Sequence, residues 1–426
     1  MKHILNLTTE LLSGAFNLFL LRIDTNDADN QQIAMRTQSG ERCICIIHPM
    51  DLRGSKVGGI ETFSRDMVTF CPPGWRILFL GVDGIGDLPI GKITSVEFGG
   101  RSVDFMPVIQ FNEDQQNQAA SRLAGSVTFR FLIGLLKYLI PIRSLLRRTS
   151  ANVYLHRVEL APFSMMAGRP FTQVVHGDGV PLKPMSSLLK RFRIFFKITE
   201  LLAVYTSSRY FAVNSRLVDQ LKSRFPRITD KFRLINTWVD PKIFTPTDFP
   251  SGEVIELCYV GRLDDFKDPD LMFRTVENLV LRQRRVRLHY IGTGDATLFP
   301  TYAGVRDHVV LHGFKSRPEI AELLSTMHLG ILFSHFEGMP FFALETLSCG
   351  RPMVTTDLPQ LRTIIQDGRS GRSISSRSPD DLASAIEDVF EAIQTAKLDP
   401  LIVHDMVHDF HPHRQISKLY EAVTVP

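Results

Sequence analysis

Two acidic side chains, Glu337 and Glu345, stand within the segment Ser334-His335-Phe336-Glu337-Gly338-Met339-Pro340-Phe341-Phe342-Ala343-Leu344-Glu345. An apolar run ends at Ser334, a Gly/Pro turn follows, and a helical pattern opens near Phe341. The N–H groups of such a turn and of a helix N-terminus suit a phosphate or a sugar hydroxyl. Glu337 falls on the loop side and Glu345 about a turn into the helix, so the pair can grip two hydroxyl groups of one extended ligand. The alternative is a capping carboxylate followed by a solvated helix glutamate.

A second constellation is Gly261-Arg262-Leu263-Asp264-Asp265-Phe266-Lys267. An apolar strand runs into a glycine, and two cations then stand in the loop before the next helix. Arginine offers a planar fork for phosphate and lysine a compact charge, a combination that suits a diphosphate. Asp268-Pro269-Asp270 reads as the helix start, with Asp268 as cap and proline at the first helical position. A solvated loop of scattered charges is the competing reading.

These loops need rigid elements to hold them. In the first forty residues an amphipathic patch is followed by a polar run from Asp24 to Gly40, and residues 1–40 read as an extension. Order begins at Cys43-Ile44-Cys45-Ile46-Ile47-His48 and passes through Gly54-Ser55-Lys56-Val57-Gly58-Gly59 into a helix over residues 61–70. Apolar strands recur at residues 76–80, 153–155, 172–175 and 209–213, with helical material between them. That alternation implies a parallel sheet covered on both faces. Residues 240–252, rich in Pro, Thr and Asp, interrupt it. It restarts with strands at 257–261, 287–291, 309–312, 330–334 and 352–355 and helices at 271–281, 318–325, 341–349 and 382–396. The fold class is α/β, with an amino-terminal domain over residues 41–247 and a second over residues 248–405. Two doubly wound sheets in tandem form a cleft where their carboxyl-terminal strand edges meet, the place such sheets bind ligands.

With these motifs in order, the chain resembles the family-4 retaining glycosyltransferases (glycosyl transferases group 1, GT-B fold). The spaced glutamates match Glu337 and Glu345, and the Gly-Arg-Leu…Lys loop matches Gly261, Arg262, Leu263 and Lys267. The amino-terminal Gly-Gly-x-Glu matches Gly58-Gly59-Ile60-Glu61, and the His-Gly step matches His176-Gly177. The hinge resembles Leu234 through Asp240, ending in Phe244. The resemblance implies two Rossmann-like domains facing a central cleft and transfer of a sugar from a nucleotide-diphospho-sugar with retention. It implies that Arg262 and Lys267 hold the diphosphate, that Glu337 meets the sugar and that Glu345 meets the ribose. Gly338 and Met339 would offer N–H groups, His176 would face the reacting sugar, and Gly58 and Gly59 would admit the donor phosphate and acceptor. Phe314 and Lys315 would line the base pocket, and residues 406–426 would cross back onto the first domain. The chain departs from the pattern at Ile235, where the family has proline, and near Phe410, where it lacks the family's tryptophan.

Asp27/Asp29 and Asp268/Asp270 are Asp-x-Asp triplets, one in the polar extension and one at a helix cap. Neither fits a donor-metal site, so no metal and no cofactor is expected beyond the donor itself. Residues 115–158 contain no acid, and Arg122, Arg130, Lys137, Arg143, Arg147 and Arg148 interleave there with Phe129, Phe131, Leu132, Leu135, Leu136 and Leu139. A second acid-free stretch sets Lys183, Lys190, Arg191, Arg193 and Lys197 among Leu188, Phe192, Phe195 and Phe196. Basic amphipathic helices suit an anionic membrane surface, or are core helices with a basic solvent face. A saccharide or lipid-linked acceptor, used in cell-surface polysaccharide or glycolipid synthesis, goes with the first reading.

Length and composition bound the rest. With 426 residues, 22% of them charged, the chain is long enough for two cores and carries a net charge of only +4, too slight for a nucleic-acid binder. Five cysteines in apolar surroundings without zinc spacing fit a reduced compartment, and no secretory or spanning segment is convincing. The expected location is cytoplasmic, on the inner face of the membrane. An epimerase on the same fold, or a non-catalytic nucleotide-sugar binder, are the rival functions.

Overall fold

A computed structural model describes residues 42–54, 58–111, 126–177 and 193–421. The polar extension, Arg122, and Lys183, Leu188, Lys190, Arg191 and Phe192 of the second basic stretch lie outside the described residues. Eight strands build the first sheet: β1 (Arg42–Ile47), β2 (Trp75–Asp83), β3 (Thr94–Phe98), β4 (Arg101–Gln110), β5 (Asn152–Leu155), β6 (Phe171–Val175), β7 (Arg209–Ala212) and β8 (Phe232–Leu234). Six build the second: β9 (Ile255–Val260), β10 (Val286–Ile291), β11 (Val309–Leu311), β12 (Leu329–Leu332), β13 (Met353–Thr356) and β14 (Gly371–Ile374). The orders are β3-β4-β2-β1-β5-β6-β7-β8 and β11-β10-β9-β12-β13-β14. Every pairing is parallel except β3 with β4.

That exception departs from the purely parallel sheet expected of the first domain. Gly99 and Gly100, at φ +59° and +75°, supply the two left-handed residues of a tight hairpin, so the chain turns back on itself at the sheet edge instead of crossing over. The strands that carry the site are buried runs, such as Ile44 to Ile47 in β1 and Phe171 to Val175 in β6. Strand order reverses between β1 and β5 in the first sheet and between β9 and β12 in the second. Loops leaving the carboxyl ends of those strands therefore splay apart into crevices.

The chain leaves the first core after Trp238 and enters the second at Val239. Residues 247–249 are pinned to the second domain by the fully buried Arg351. Its guanidinium donates to the carbonyls of Thr247 (3.0 Å) and Asp248 (2.8 Å) and lies over the Phe249 ring. Burial alone would drive such a cation out, and backbone acceptors offset that cost. Helix Pro412–Glu421 then returns to the first core, seating Ile416, Leu419 and Tyr420 among Met67, Phe79 and Tyr154. The Tyr154 hydroxyl donates to the Leu419 carbonyl (2.5 Å) and that of Tyr420 to the Met67 carbonyl (2.8 Å).

Candidate active site

The loop after β12 carries Glu337. The acid is buried, accepts a hydrogen bond from Ser334 Oγ (2.6 Å) and forms an ion pair with Lys267 Nζ. Lys267 reaches it from the loop after β9, and His335 N–H donates to the Phe266 carbonyl (2.8 Å), so the two loops are stitched together. Arg262 behaves differently. Its side chain is 65% exposed and pairs with Asp264 at 2.9 Å, while its carbonyl accepts from Tyr259 Oη (2.8 Å). Of the two cations read as a diphosphate clamp, the structure seats Lys267 against the glutamate loop and leaves Arg262 at the rim.

Gly338 and Met339 meet the first domain. Asn214 Nδ2 donates to the Gly338 carbonyl (3.2 Å) and Thr237 Oγ1 to that of Met339 (2.9 Å). A Cβ on Gly338 would lie 2.7 Å from the His176 carbonyl oxygen, closer than real Cβ atoms come. Gly177 likewise faces the Phe336 ring. The His176-Gly177 step at the end of β6 thus confronts the glutamate loop directly. Helix Phe341–Ser348 opens there with no side-chain cap.

Glu345 lies within that helix, buried, and is no solvated helix glutamate. Arg317, at the start of helix Arg317–Ser325, sets Nε 3.4 Å from Glu345 and donates from Nη1 to Asp66 (3.0 Å) in helix Gly59–Thr69 of the first domain. Trp238 Nε1 donates to the same Asp66 carboxylate (2.7 Å), and the Arg317 guanidinium lies 5.5 Å from the centre of the Phe244 ring. Burial pushes both carboxyls above the usual range, and the guanidinium between them opposes that. Neither Asp66 nor Arg317 stands out in the sequence, where each is one more charge on a helix.

On the first-domain side three histidines gather at the carboxyl ends of β1, β5 and β6. His156 Nδ1 and His176 Nε2 are 3.1 Å apart, and His48 lies with its ring centre 5.9 Å from that of His156 and with Nε2 3.7 Å from Glu61. Burial holds His176 down to about 3, with the neighbouring His48 adding to the effect, and holds His156 well below the usual imidazole value. Both rings are therefore neutral near pH 7. Glu61 folds back over Gly58, where a Cβ would clash with its carboxylate, whereas a Cβ on Gly59 would meet nothing within 4 Å.

Phe314 stands half exposed beyond β11, next to Gly313 at φ +68°, and Lys315 pairs loosely with Glu319 (3.4 Å). The loop Gly292-Thr293-Gly294, which sequence reasoning passed over, packs on Gly261. Gly292 N–H donates to the Gly313 carbonyl (3.0 Å) and Gly294 N–H to Tyr290 Oη (2.8 Å). A Cβ on Gly292 would collide with the Gly261 carbonyl, so two glycines after an apolar run were the available signal. Among the described residues no group of three or more His, Cys, Asp or Glu is arranged to hold a metal. Asp268 caps helix Pro269–Leu281 and binds Arg377 (2.6 Å), and Asp270 accepts from Thr301 (2.6 Å).

The basic stretches divide their apolar residues between two faces. Phe131, Leu135 and Leu139 are buried, while Phe129, Ile133, Leu136 and Ile140 are exposed along the other side. Helix Arg193–Thr206 exposes Phe195, Ile198, Leu201 and Tyr205, and helix Ala161–Met166, which packs against both helices, exposes Met165. Among the described residues no helix is long and apolar enough to cross a membrane.

Comparison with known proteins matches residues 255–392 to the family Glycosyl transferases group 1. D-inositol 3-phosphate glycosyltransferase from Paenarthrobacter aurescens is 24% identical over 44% of this chain and 50% of its own length. The chain thus spans about half the length of that curated relative. Sucrose-phosphate synthase from Thermosynechococcus elongatus superposes with a TM-score of 0.70 over 90% of this chain and 99% of its own, at 15% identity. HepE from Anabaena, solved with UDP and glucose, superposes at 0.65 over 90% and 99%, at 14% identity. Residues 255–392 thus match Glycosyl transferases group 1, and the chain shares the two-sheet GT-B fold of those structures.

Proposed function

We propose that the chain is a family-4 retaining glycosyltransferase that moves a sugar from a nucleotide-diphospho-sugar to a saccharide or lipid-linked acceptor. The observation that carries this reading is the buried Glu337–Lys267 pair, placed at two strand ends of the second sheet and facing His176-Gly177 of the first. A carboxylate fixed by a lysine and a serine is oriented to accept from sugar hydroxyls, and the ammonium beside it stabilises charge on a leaving diphosphate. Arg262 turns from Asp264 to the same diphosphate, the N–H groups of Gly338 and Met339 meet the sugar or phosphate, and Phe314 and Lys315 flank the base. Glu345 takes the ribose, sharing Arg317 with Asp66. Gly58 and Gly59 leave room for donor phosphate and acceptor, and no metal is required because cations of the chain supply the charge. HepE, a neighbour in fold, is described with UDP and glucose, which supports a nucleotide-sugar donor here.

The test is donor hydrolysis without acceptor, screened over UDP-, GDP- and ADP-sugars. One of them should release its nucleoside diphosphate slowly, and Glu345→Ala should weaken its affinity about tenfold. No release and no thermal shift with any donor would reject the enzyme.

The acceptor side is read as peripheral to the cytoplasmic face of a membrane, in the making of cell-surface polysaccharide or glycolipid. Exposed Phe129, Ile133 and Leu136 share helix Val127–Lys137 with Arg130 and Lys137, helix Leu139–Arg148 follows with Arg147 and Arg148, and exposed Phe195 and Ile198 share helix Arg193–Thr206 with Lys197, a pairing that fits anionic lipid. The protein should float with anionic vesicles at low salt, and Ile133→Asp should abolish flotation without lowering thermal stability. Failure to float at low salt would remove the membrane from the reading.

A further inference from the structure

We propose that His156 is a positioning residue that fixes His176 as its Nδ1–H tautomer, so that His176 donates from Nδ1 to a hydroxyl of the transferred sugar. The sugar contact rests on the transfer reading above; the tautomer does not.

The two rings share one hydrogen bond, between His156 Nδ1 and His176 Nε2 at 3.1 Å. Only one of the two nitrogens carries the proton, because neither imidazole is charged near neutral pH. If His176 held it on Nε2, the proton of His156 would sit on its own Nε2. That nitrogen is buried, in a residue 4% exposed, and has no hydrogen-bond partner. Phe63 stands edge-on to both rings, with centres 5.4 Å from His156 and 4.8 Å from His176, and adds an apolar wall. A buried N–H without an acceptor is rarer and costlier than a buried lone pair without a donor. His156 therefore keeps its proton on Nδ1 and donates to His176 Nε2. His176 is left with its proton on Nδ1, the only nitrogen of this pair available to a ligand.

The neighbours work with this arrangement. His48, Glu61 and Arg157 are the charged or titratable groups nearest the pair, and burial outweighs the Glu61 charge that would favour an imidazolium. Because His156 follows β5 and His176 follows β6, adjacent strands paired in register from Val153 to Phe171, the bond is set by the sheet and needs no ligand to form.

The experiment reads protonation directly. In protein labelled with ¹⁵N-histidine, long-range ¹H–¹⁵N correlation of the unliganded chain, with His176→Gln for assignment, should show a protonated Nδ1 and a bare Nε2 on His176. His156→Asn places an amide N–H where Nδ1 stood and should preserve both that pattern and kcat. His156→Asp puts an acceptor where Nδ1 stood, and should draw a proton onto His176 Nε2 and lower kcat about tenfold with little change in donor KM. A His176 proton on Nε2 in the unmodified protein overturns the proposal, as does a His156→Asp protein that keeps both the pattern and kcat. Should His156→Asp fail to fold, the unmodified protein and His156→Asn still decide. A protein with the stated tautomer that turns over no nucleotide-sugar would sink the transfer reading alone.

Discussion

Glu337 and Glu345 belong to one loop-and-helix segment and are both buried beside a cation, but the two halves of that segment are built differently. Glu337 is held within its own domain, by Lys267 and Ser334 from neighbouring strand ends. Glu345 is paired with Arg317, whose hydrogen bonds go to Asp66 of the first domain, itself fixed by Trp238. The Glu337 carboxylate is fixed by groups of the second domain, although its loop goes on to meet the first domain at Gly338 and Met339. The helix half exists in this form only when both domains are in place. A ligand that draws Glu345 away from Arg317 leaves that guanidinium to Asp66 across the domain boundary, whereas one on Glu337 disturbs only a pair within the second domain.

Breaking the local half should have the largest effect on turnover. Lys267→Ala removes the ammonium beside the leaving group and should lower donor turnover by about 10²–10³, with thermal unfolding of the two domains still coupled. Loss of that coupling would mean that Lys267 also serves the interface. Arg317→Met comes next. It strands Asp66 and Glu345 as two buried carboxylates and should cost about 3–5 kcal/mol at pH 7.5, measured by urea unfolding. Because burial already raises both carboxyls, they should take up protons in the variant, and the loss should shrink at pH 5.5. An equal loss at both pH values would contradict the shared-cation picture.

The smallest effect sharpens the contrast with the neutral histidine side. The folded pKa values of His156 and His176 lie below the unfolded value near 6.5. As pH falls from 6.5 toward about 3, the unfolded chain binds protons that the folded chain refuses, so stability declines across that window. Asp66 and Glu345 act in the opposite direction, which makes the variant difference the useful quantity. His156→Asn should flatten the decline by up to about 1.4 kcal/mol per pH unit below 6.5. An unchanged slope would mean that His156 already takes a proton when folded.

The legible parts of this site were those written contiguously. Gly261 to Lys267 and Ser334 to Glu345 each run from an apolar strand through a turn into a helix, so strand, loop and cation or acid read off together. Asp66, Arg317 and Trp238 did not, because their meaning lies in a bond spanning domains and each alone resembles ordinary surface or core. Arg262 reads as a clamp and stands at the rim, since its neighbour Asp264 pairs with it. The Gly99-Gly100 hairpin escaped notice for the opposite reason: β3 is short and half exposed, so its apolar signal is weak. Exposure of one apolar stripe and burial of the other on helix Val127–Lys137 could not be separated by composition, which both faces share.

Helix Pro412–Glu421 has a consequence for how the molecule is made. Ile416, Leu419 and Tyr420 close a core whose other walls, from β1 to β7, are synthesised long before them. An emerging chain can pair the first sheet, but one side of that core stays wet until this helix leaves the ribosome. The second domain needs no such delay, since its core is drawn from residues 239–410 alone. Of these two domains, the one begun earlier is thus completed after the other, the reverse of simple domain-by-domain folding.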